Sequence, residues 1–358
     1  MNTDEIETVE SAPVSQPLSL YDNTRLSDWR RCGRYYYYRH IRDWVPDRKS
    51  MPLIFGSSYH SAMDTIWNGY EIIRDGDKKA VNALVDSAYA AFIETWTESG
   101  MPPPQEMSAD ELEDLGARTP QTAEEMLYHY VDARKTLFSD KTFKLLDVER
   151  PFAVPLDPND PTLFYIGRID KEFSWRGNVY IGEHKTSSSY RKGDVPFRNG
   201  FIDSFSPNSQ VDGYLFQGQM LYGEKLAGVW IDASLVHKSV HNGFMFIPID
   251  KQFAQLEGWL WTTHHYIAQI EGNMQVIGER AALDTNYLAA FPMNTSSCSN
   301  YGGCPYADIC RAVANPAKLE DAPAGYKKEH WEPFDTLRLE KLGFTLQNQR
   351  VYKVEPPQ

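Results

Sequence analysis

The four cysteines of the chain are divided between its two ends, and this division constrains the fold more than any other feature. Cys32 lies near the start, whereas Cys298, Cys304 and Cys310 are close together near the end. Four cysteines in 358 residues are too few for a disulfide scaffold, and clustered thiols suggest a metal. Four thiolates are the ligand set of an iron–sulfur cluster or a structural zinc, so a shared site would join both ends of the chain. Unliganded thiols are the remaining alternative.

Helical and strand-like segments follow one another in an order typical of an α/β protein. Apolar residues at three- and four-residue spacing predict helices at 25–42, 55–70, 78–96, 122–137, 210–226 and 252–281. Runs of β-branched and aromatic residues predict strands at 143–154, 163–175, 179–184, 229–236 and 244–249. Arg176-Gly177-Asn178 suits a tight hairpin turn, and the proline-rich, acidic segment 98–120 reads as an exposed loop. The fold class that follows is a small mixed sheet flanked by helices, with an N-terminal helical elaboration.

These patterns divide the chain into five parts. We expect a disordered acidic tail at 1–20, a helical region at 21–140, an α/β core at 141–290, a cysteine-rich metal-binding loop at 291–315 and a C-terminal extension at 316–358.

The net charge of -13 argues against a protein that coats nucleic acid nonspecifically, so any contact with a polyanion must be local. The acidic residues 1–16 have no basic or apolar part that a signal peptide would need, and no apolar run is long enough for a membrane span. We therefore expect a protein without membrane contact in the cytoplasm, or in the host cytoplasm if it is viral.

Two predicted neighbouring strands each carry a carboxylate. Asp170 lies on the first, and Glu183, His184 and Lys185 follow on the second. Strand alternation places Glu183 and Lys185 on one face with His184 opposite. Carboxylate oxygens suit Mg²⁺ or Mn²⁺, and such a metal with a neighbouring lysine can promote phosphodiester hydrolysis. The alternative is an ordinary cross-strand ion pair on a solvated face.

In its motifs the sequence resembles the PD-(D/E)XK nuclease superfamily, and within it the RecB-like branch that includes CRISPR-associated and AddB-type exonucleases. Gly167 to Asp170 followed by Glu183-x-Lys185 matches the catalytic strands of that branch. His60, in a Gly-x-x-x-His context, matches its additional metal ligand, and Gln210-x-x-x-Tyr214 matches its downstream helix. The family implies a restriction-endonuclease-like core. It assigns catalytic roles to Asp170, Glu183, Lys185, Gln210 and Tyr214, and it assigns metal binding to His60, Asp170, Glu183 and the backbone carbonyl of His184.

The cysteines match a subgroup of the same branch that holds an iron–sulfur staple through one early and three late cysteines. Cys304 and Cys310 reproduce its final Cys-x5-Cys, whereas the five residues between Cys298 and Cys304 exceed the usual two. Gly302 and Gly303 would let the longer loop fold back. The resemblance implies a structural 4Fe–4S cluster held by Cys32, Cys298, Cys304 and Cys310, with Zn²⁺ as the alternative.

Positive charge is concentrated beside Cys32 and beside Lys185. Residues 25–49 contain eight Arg or Lys against three Asp, with Trp29, Tyr35 to Tyr38 and Trp44 interleaved, as in channels for single-stranded nucleic acid. About half of these tyrosines are expected in the core. Neither patch contains a base-reading motif, so cleavage is expected to be independent of sequence. The candidate DNA-binding residues are Arg30, Arg31, Arg34, Arg39, Arg191 and Lys192.

Together these features predict a Mg²⁺- or Mn²⁺-dependent deoxyribonuclease, an exonuclease acting on single strands or DNA ends. Its partners would be DNA and factors of recombination, repair, replication or CRISPR adaptation. The first alternative is a non-catalytic DNA-binding or assembly subunit that keeps the nuclease fold. The second is a cysteine-ligated metal protein unrelated to nucleases.

Overall fold

The structure, a computed structural model, describes residues 16–47, 50–278 and 284–353. The helices are α1 (Asn23–Arg31), α2 (Gly33–Tyr36), α3 (Met51–Asn68), α4 (Tyr70–Asp75), α5 (Lys78–Glu98), α6 (Ala109–Asp114), α7 (Pro120–Phe138), α8 (Asn199–Asp203), α9 (Ser209–Tyr222), α10 (Phe253–Gly278), α11 (Ala307–Ala312) and α12 (Pro333–Thr336). The strands are β1 (Ser19–Tyr21), β2 (Trp44–Pro46), β3 (Lys144–Asp157), β4 (Asp160–Trp175), β5 (Asn178–Ser187), β6 (Leu226–Leu235), β7 (Phe244–Ile249), β8 (Tyr326–Lys328), β9 (Phe344–Gln347) and β10 (Arg350–Lys353).

A mixed six-stranded sheet forms the centre of the protein, with strand order β1-β4-β5-β6-β7. Strand β3 also pairs with β4, along the edge opposite β5. The β4–β5 hairpin is antiparallel, whereas β5 and β6 run parallel and are joined through α8 and α9. Arg176 and Gly177 have positive φ angles of 52° and 84°, as a two-residue hairpin turn requires. The predicted α/β class and the predicted hairpin are confirmed.

Helices cover both faces of the sheet. On one face α3, α5 and α7 form an apolar cluster in which Trp67 of α3 packs against Phe173 of β4 with ring centroids 5.6 Å apart. On the other face α1, α2, α9 and α10 share a second cluster, where Trp259 of α10 meets Tyr165 of β4 at 5.2 Å. Because both faces of the sheet are covered, most of the charged residues in the middle of β4 and β5 are buried.

The helix predicted at 25–42 is broken at Cys32, whose backbone is extended with φ -172° and ψ 125°. A π-helical turn at Tyr37–Ile41 continues α2. Gly33 lies against Pro292, and a Cβ atom there would be 2.9 Å from the carbonyl oxygen of Pro292. The break therefore lets the cysteine-bearing turn meet the C-terminal loop.

The segment predicted as an exposed loop at 98–120 contains α6. A capping box marks the start of this helix in the sequence. The Ser108 hydroxyl accepts from the backbone N–H of Glu111, and the Glu111 carboxylate accepts from the backbone N–H of Ser108. The helix predicted to end at Leu226 stops at Tyr222, because Gly223 takes a positive φ of 55°. Residues 279–281 of the last predicted helix lie outside the described residues.

Strands occur in the described parts of the two terminal segments. Residues 1–15 of the predicted tail lie outside the described residues, but Ser19 and Leu20 belong to β1, which pairs with β4 in parallel. In the C-terminal extension β8 pairs with β2, and the β9–β10 hairpin buries Phe344 and Val351 against Phe164. No helix in the described part of the chain is long and apolar enough to cross a bilayer.

Candidate active site

The β4–β5 pairing brings the predicted catalytic residues side by side. Lys171 pairs with Gly182, and one step further along the hairpin the backbone N–H of His184 donates to Asp170 Oδ2 at 2.7 Å. Asp170 and Glu183 are both buried, at 8% and 2% exposure. Two carboxylates are thus held within the sheet by main-chain pairing.

A hydrogen-bonded chain links Glu183 to α9. Lys185 Nζ donates to Glu183 Oε1 at 2.6 Å and to Gln210 Oε1 at 3.0 Å. Gln210 Nε2 lies 3.0 Å from Glu183 Oε1 and 3.1 Å from the hydroxyl of Tyr214, which donates to the carbonyl of Arg168. The two residues of the Gln-x-x-x-Tyr motif therefore both reach the strands, as their four-residue spacing on a helix allows.

Two local features hold α9 in this place. Asn208 caps the helix by accepting from the backbone N–H groups of Gln210 and Val211. Gly213 lies so close to β4 that a Cβ atom would be 2.4 Å from the hydroxyl oxygen of Tyr165. The glycine permits a close approach of helix and sheet that any side chain would prevent.

His60 reaches the same cluster from α3. Its Nδ1 lies 3.5 Å from Asp170 Oδ2, and about a third of its side chain is exposed. The ring stands 5.7 Å from the ring of His184. The structure therefore brings together all five predicted catalytic residues and His60, and their roles stay predictions.

The electrostatics of the cluster favour a bound cation. Burial raises the pKa of Glu183, and the charge of Asp170 raises it further, whereas Lys185 and His60 oppose this. Burial alone lowers the pKa of Lys185, but Glu183 and Asp170 outweigh it and raise the pKa. Glu183 Oε2 is buried and has no hydrogen-bond partner among the described residues. A buried carboxylate oxygen without a donor fits a hard cation.

As arranged here, no group of three or more His, Cys, Asp or Glu side chains within the described ranges could by itself hold a metal ion. The hydrogen bonds explain this for the carboxylates. Asp170 Oδ2 accepts from the backbone of His184, and Glu183 Oε1 accepts from Lys185 and Gln210. The donor chemistry fits a divalent cation, while these oxygens are shared with donors of the protein.

Two further carboxylates, Asp64 and Glu149, adjoin Asp170 and were missed in the sequence. Burial raises the pKa of Asp64 to about 8, with contributions from Glu149 and Asp170. Glu149 lies on β3 with a positive φ of 56° and pairs with Arg168. Asp64 follows His60 by four residues on one helix, a spacing that could have revealed it. Glu149 depends on the β3–β4 register, for which the sequence has no local signal.

The opposite face of the same strands carries a buried charge network around Asp232 of β6. Its carboxylate pairs with Arg134 of α7 and with Lys171 Nζ at 2.8 Å, and it accepts from the hydroxyl of Tyr130. Burial raises the pKa of Asp232, but the two cations outweigh it and hold the pKa well below its usual range. The side chain of His184 lies in this network, and burial lowers its pKa, so the ring is neutral.

The four cysteines are free thiols, and no three of them are placed so that they could hold a metal ion. Burial raises the pKa of the Cys304 and Cys310 thiols, and Cys32 raises both further, so Cys32 is within electrostatic range of these two late cysteines. The charge of Cys298 also raises the pKa of Cys304. The loop between those two closes through a hydrogen bond from the backbone of Cys304 to the carbonyl of Cys298 at 2.8 Å, with positive φ at Gly302 and Gly303. The loop thus folds back at the two glycines, and its role in a metal site stays a prediction.

The surroundings of the cysteines are made of backbone and aromatic groups. Cys32 Sγ accepts from the backbone N–H of Asn294 at 3.2 Å, and the hydroxyl of Tyr38 lies 3.5 Å from Cys310 Sγ. Thiols are the ligands of iron–sulfur clusters and of structural zinc, whereas the four cysteines as arranged here do not form a group that could hold a metal ion.

The candidate DNA-binding residues lie in different settings. Arg34 is 5% exposed and donates to the carbonyls of Phe291 and Leu288, so it ties α2 to the C-terminal loop and is removed from the candidate DNA contacts. Tyr36, Tyr37 and Tyr38 are core residues, and Arg48 and Lys49 lie outside the described residues. The other candidates are at least partly exposed: Arg30 and Arg31 line a cavity, Arg39 pairs with Asp28, and Arg191 and Lys192 lie on an exposed loop.

The fold is the mixed α/β architecture of restriction-endonuclease-like proteins. The model of the PD-(D/E)XK nuclease superfamily matches residues 23–311, and the chain belongs to that superfamily. Among solved structures, a protein from Eubacterium rectale described as a "Putative exonuclease" is similar with a TM-score of 0.39 and 15% identity, over 68% of this chain and 78% of that one. Among curated proteins no relative was found.

Proposed function

We propose that the protein is a metal-dependent DNA nuclease of the RecB-like branch, acting as an exonuclease on single strands or strand ends with little dependence on sequence. The observation that carries the proposal is the cluster of the buried Asp170 and Glu183 with the partly exposed Lys185, on two paired strands of a PD-(D/E)XK superfamily member. Gln210, Tyr214 and His60 converge on the same cluster, which supports a site and not a chance ion pair.

Members of the superfamily generally use divalent metals such as Mg²⁺ or Mn²⁺. His60, Asp170, Glu183 and the backbone carbonyl of His184 would hold the ion. When bound, such an ion polarises a phosphoryl oxygen and lowers the pKa of a water molecule. The unpaired Oε2 of Glu183 supports this assignment, because it is a buried anionic oxygen without a donor.

Lys185 acts as a hydrogen-bond donor in this proposal. Its pKa is raised by Glu183 and Asp170 in spite of burial, so the ammonium keeps its proton at neutral pH. A charged ammonium can orient water or stabilise negative charge on a phosphate, but it cannot remove a proton. Gln210 holds Lys185 through its amide oxygen, and Tyr214 fixes the other end of that amide.

The cysteines, in this proposal, hold a structural 4Fe–4S cluster that fastens α1 to the C-terminal loop, with Zn²⁺ as the alternative. The support for this assignment is that Cys32, from the start of the chain, is within electrostatic range of Cys304 and Cys310 near its end. Protein purified without oxygen should be brown, and dithionite should bleach it. A colourless preparation with one zinc per chain would replace iron–sulfur by zinc, and one with neither metal would reject a metal site.

The nuclease proposal is tested with end-labelled single strands, duplexes and closed circles, each incubated with Mg²⁺, Mn²⁺ or EDTA. We expect linear strands to be degraded only with metal, and closed circles to persist. Lys185→Ala and Asp170→Asn should abolish degradation while keeping the melting temperature close to that of the wild type. Lys225→Ala, an exposed lysine outside the cluster, is the matched control.

Activity of Lys185→Ala or Asp170→Asn equal to that of the wild type would refute the site. DNA binding by the wild type without any metal-dependent turnover would favour the alternative, a non-catalytic subunit that keeps the fold.

A further inference from the structure

A polar cavity of about 360 Å³ lies between α1 and the loop that precedes Cys298. Arg30 and Arg31 line it from α1, and the hydroxyl and amide side chains of Asn294, Ser296 and Ser297 line it from the loop. No carboxylate is among its lining residues in the described part of the chain. A cavity with two guanidinium groups, several neutral donors and no acid is suited to an anion.

The Arg30 guanidinium is held in place before any ligand arrives. Its Nη2 donates to the Ser27 hydroxyl at 2.6 Å, and the group lies over the ring of Tyr266 at 6.0 Å. Arg30 is half-buried, and burial lowers its pKa, although the side chain stays charged at neutral pH. Within the described residues no carboxylate lies at ion-pair distance from Arg30. A partly desolvated cation without a counter-ion gains strongly from binding an anion.

Arg31 is oriented in a similar way. Its guanidinium stacks on the ring of Tyr35 at 4.5 Å, and among the described residues it also has no carboxylate at ion-pair distance. The opposite wall is tied to the same helix, because Asn294 Nδ2 and the Ser297 hydroxyl both donate to the carbonyl of Arg31. These two hydrogen bonds hold the loop wall of the cavity against α1, as a specific binding site requires.

The cavity lies on the α9 side of the sheet, which is the side of the candidate active site. Arg30 is within electrostatic range of Asp212, two residues after Gln210 on α9. Helix α1 also contacts α9, the helix that carries Gln210 and Tyr214 of the candidate active site. The cavity and the candidate active site therefore adjoin the same helix.

We propose that this cavity binds the terminal phosphate of a nucleic-acid strand and so selects phosphorylated ends for the candidate active site. A terminal phosphate carries a charge of about -1.5 to -2, whereas an internal phosphodiester carries one negative charge, so the monoester matches two guanidinium groups better. It also projects from the strand and can enter a concave site. The proposal rests on the proposed nuclease function for its biological meaning, but not for its test.

The test measures binding without turnover, using fluorescent oligonucleotides of one sequence in EDTA. The strands carry a 5′-phosphate, a 3′-phosphate or hydroxyls at both ends. We expect the wild type to bind one phosphorylated end about tenfold more tightly than the hydroxyl end. Arg30→Gln should remove this preference while leaving the melting temperature unchanged. Arg74→Gln is the matched control, since this arginine of α4 is already paired with Asp75.

Equal affinity for all three strands, or an undiminished preference in Arg30→Gln, would overturn the proposal. Inorganic phosphate serves as the competitor that separates a strand end from free phosphate. Displacement of the phosphorylated strand only near millimolar phosphate supports the strand end as ligand, and displacement at about micromolar phosphate would assign the cavity to the free ion. Because hydrolysis is absent from the assay, its outcome is independent of whether the candidate active site cleaves DNA.

Discussion

Asp64 offers a sharp test of the electrostatics around Asp170, because its carboxyl group is protonated at neutral pH, where most aspartates are ionised. Burial, Glu149 and Asp170 raise its pKa from 3.8 to about 8. Between these values the folded protein keeps a proton that the unfolded chain has lost. The unfolded state therefore binds fewer protons, and the free energy of unfolding falls as the pH rises through this window.

The size of the effect follows from the two pKa values. Each unit of difference between the folded and unfolded pKa corresponds to about 1.4 kcal/mol. At pH 8 the raised pKa of Asp64 therefore lowers the free energy of unfolding by up to about 5 kcal/mol. Asp64 is partly exposed, so water screens part of this cost, and we expect about 2–3 kcal/mol. Asp64→Asn has nearly the same shape and cannot ionise. It should therefore be more stable than the wild type at pH 8, and nearly equal to it near pH 4.5.

The measurement is urea unfolding of the wild type and Asp64→Asn at both pH values, with EDTA present to exclude bound metal. The exposed Asp203→Asn controls for the loss of one negative charge and should show the same difference at both pH values. A stability gain of Asp64→Asn that does not grow with pH would refute the argument. A variant that is less stable than the wild type at pH 8 would show that Asp64 is ionised and paired.

Three further substitutions test how the site is built, and Gly258→Ala is the control for the first of them. Gly213→Ala places a methyl group 2.4 Å from the hydroxyl oxygen of Tyr165, so urea unfolding should show a loss of about 1–3 kcal/mol together with lower nuclease activity. Gly258→Ala on α10 meets open space and should be neutral or stabilising by up to about 1 kcal/mol. Asp232→Asn leaves two buried cations without their carboxylate and should cost about 3–5 kcal/mol by the same assay. Arg34→Ala should lower the melting temperature without weakening the DNA affinity of the folded protein, because its partners are backbone carbonyls.

The parts of the fold that depend on local pattern could be predicted from the sequence. The alternation along β5 places Glu183 and Lys185 towards α9 and the ring of His184 towards α7, as expected. The turn at Arg176 and Gly177 and the folding back of the Cys298 to Cys304 loop also follow from short-range chemistry.

Features that depend on pairing between distant segments could not be predicted. Glu149 joins the cluster only because β3 and β4 pair in one register, and nothing near Glu149 encodes that register. Asp232 could not be singled out within its predicted strand, since its partner Arg134 lies 98 positions away on a helix. The prediction that Arg34 contacts DNA is wrong because the sequence shows its positive charge but not the backbone carbonyl groups to which it donates.

The two faces of β4 and β5 carry charges of different kinds, and the strand alternation explains how both can be buried. On one face Asp170 and Glu183 form a pair of like charges, and burial together with the charge of Asp170 raises the pKa of Glu183, which Lys185 opposes. On the other face Lys171 and Arg134 both contact Asp232, so opposite charges are paired and the three charges sum to +1. Because Lys171 directly follows Asp170 in β4, these ion pairs fix the strand at the residue next to the carboxylate pair. The network would thus hold Asp170 beside Glu183, so its loss should disturb the candidate site before it unfolds the sheet.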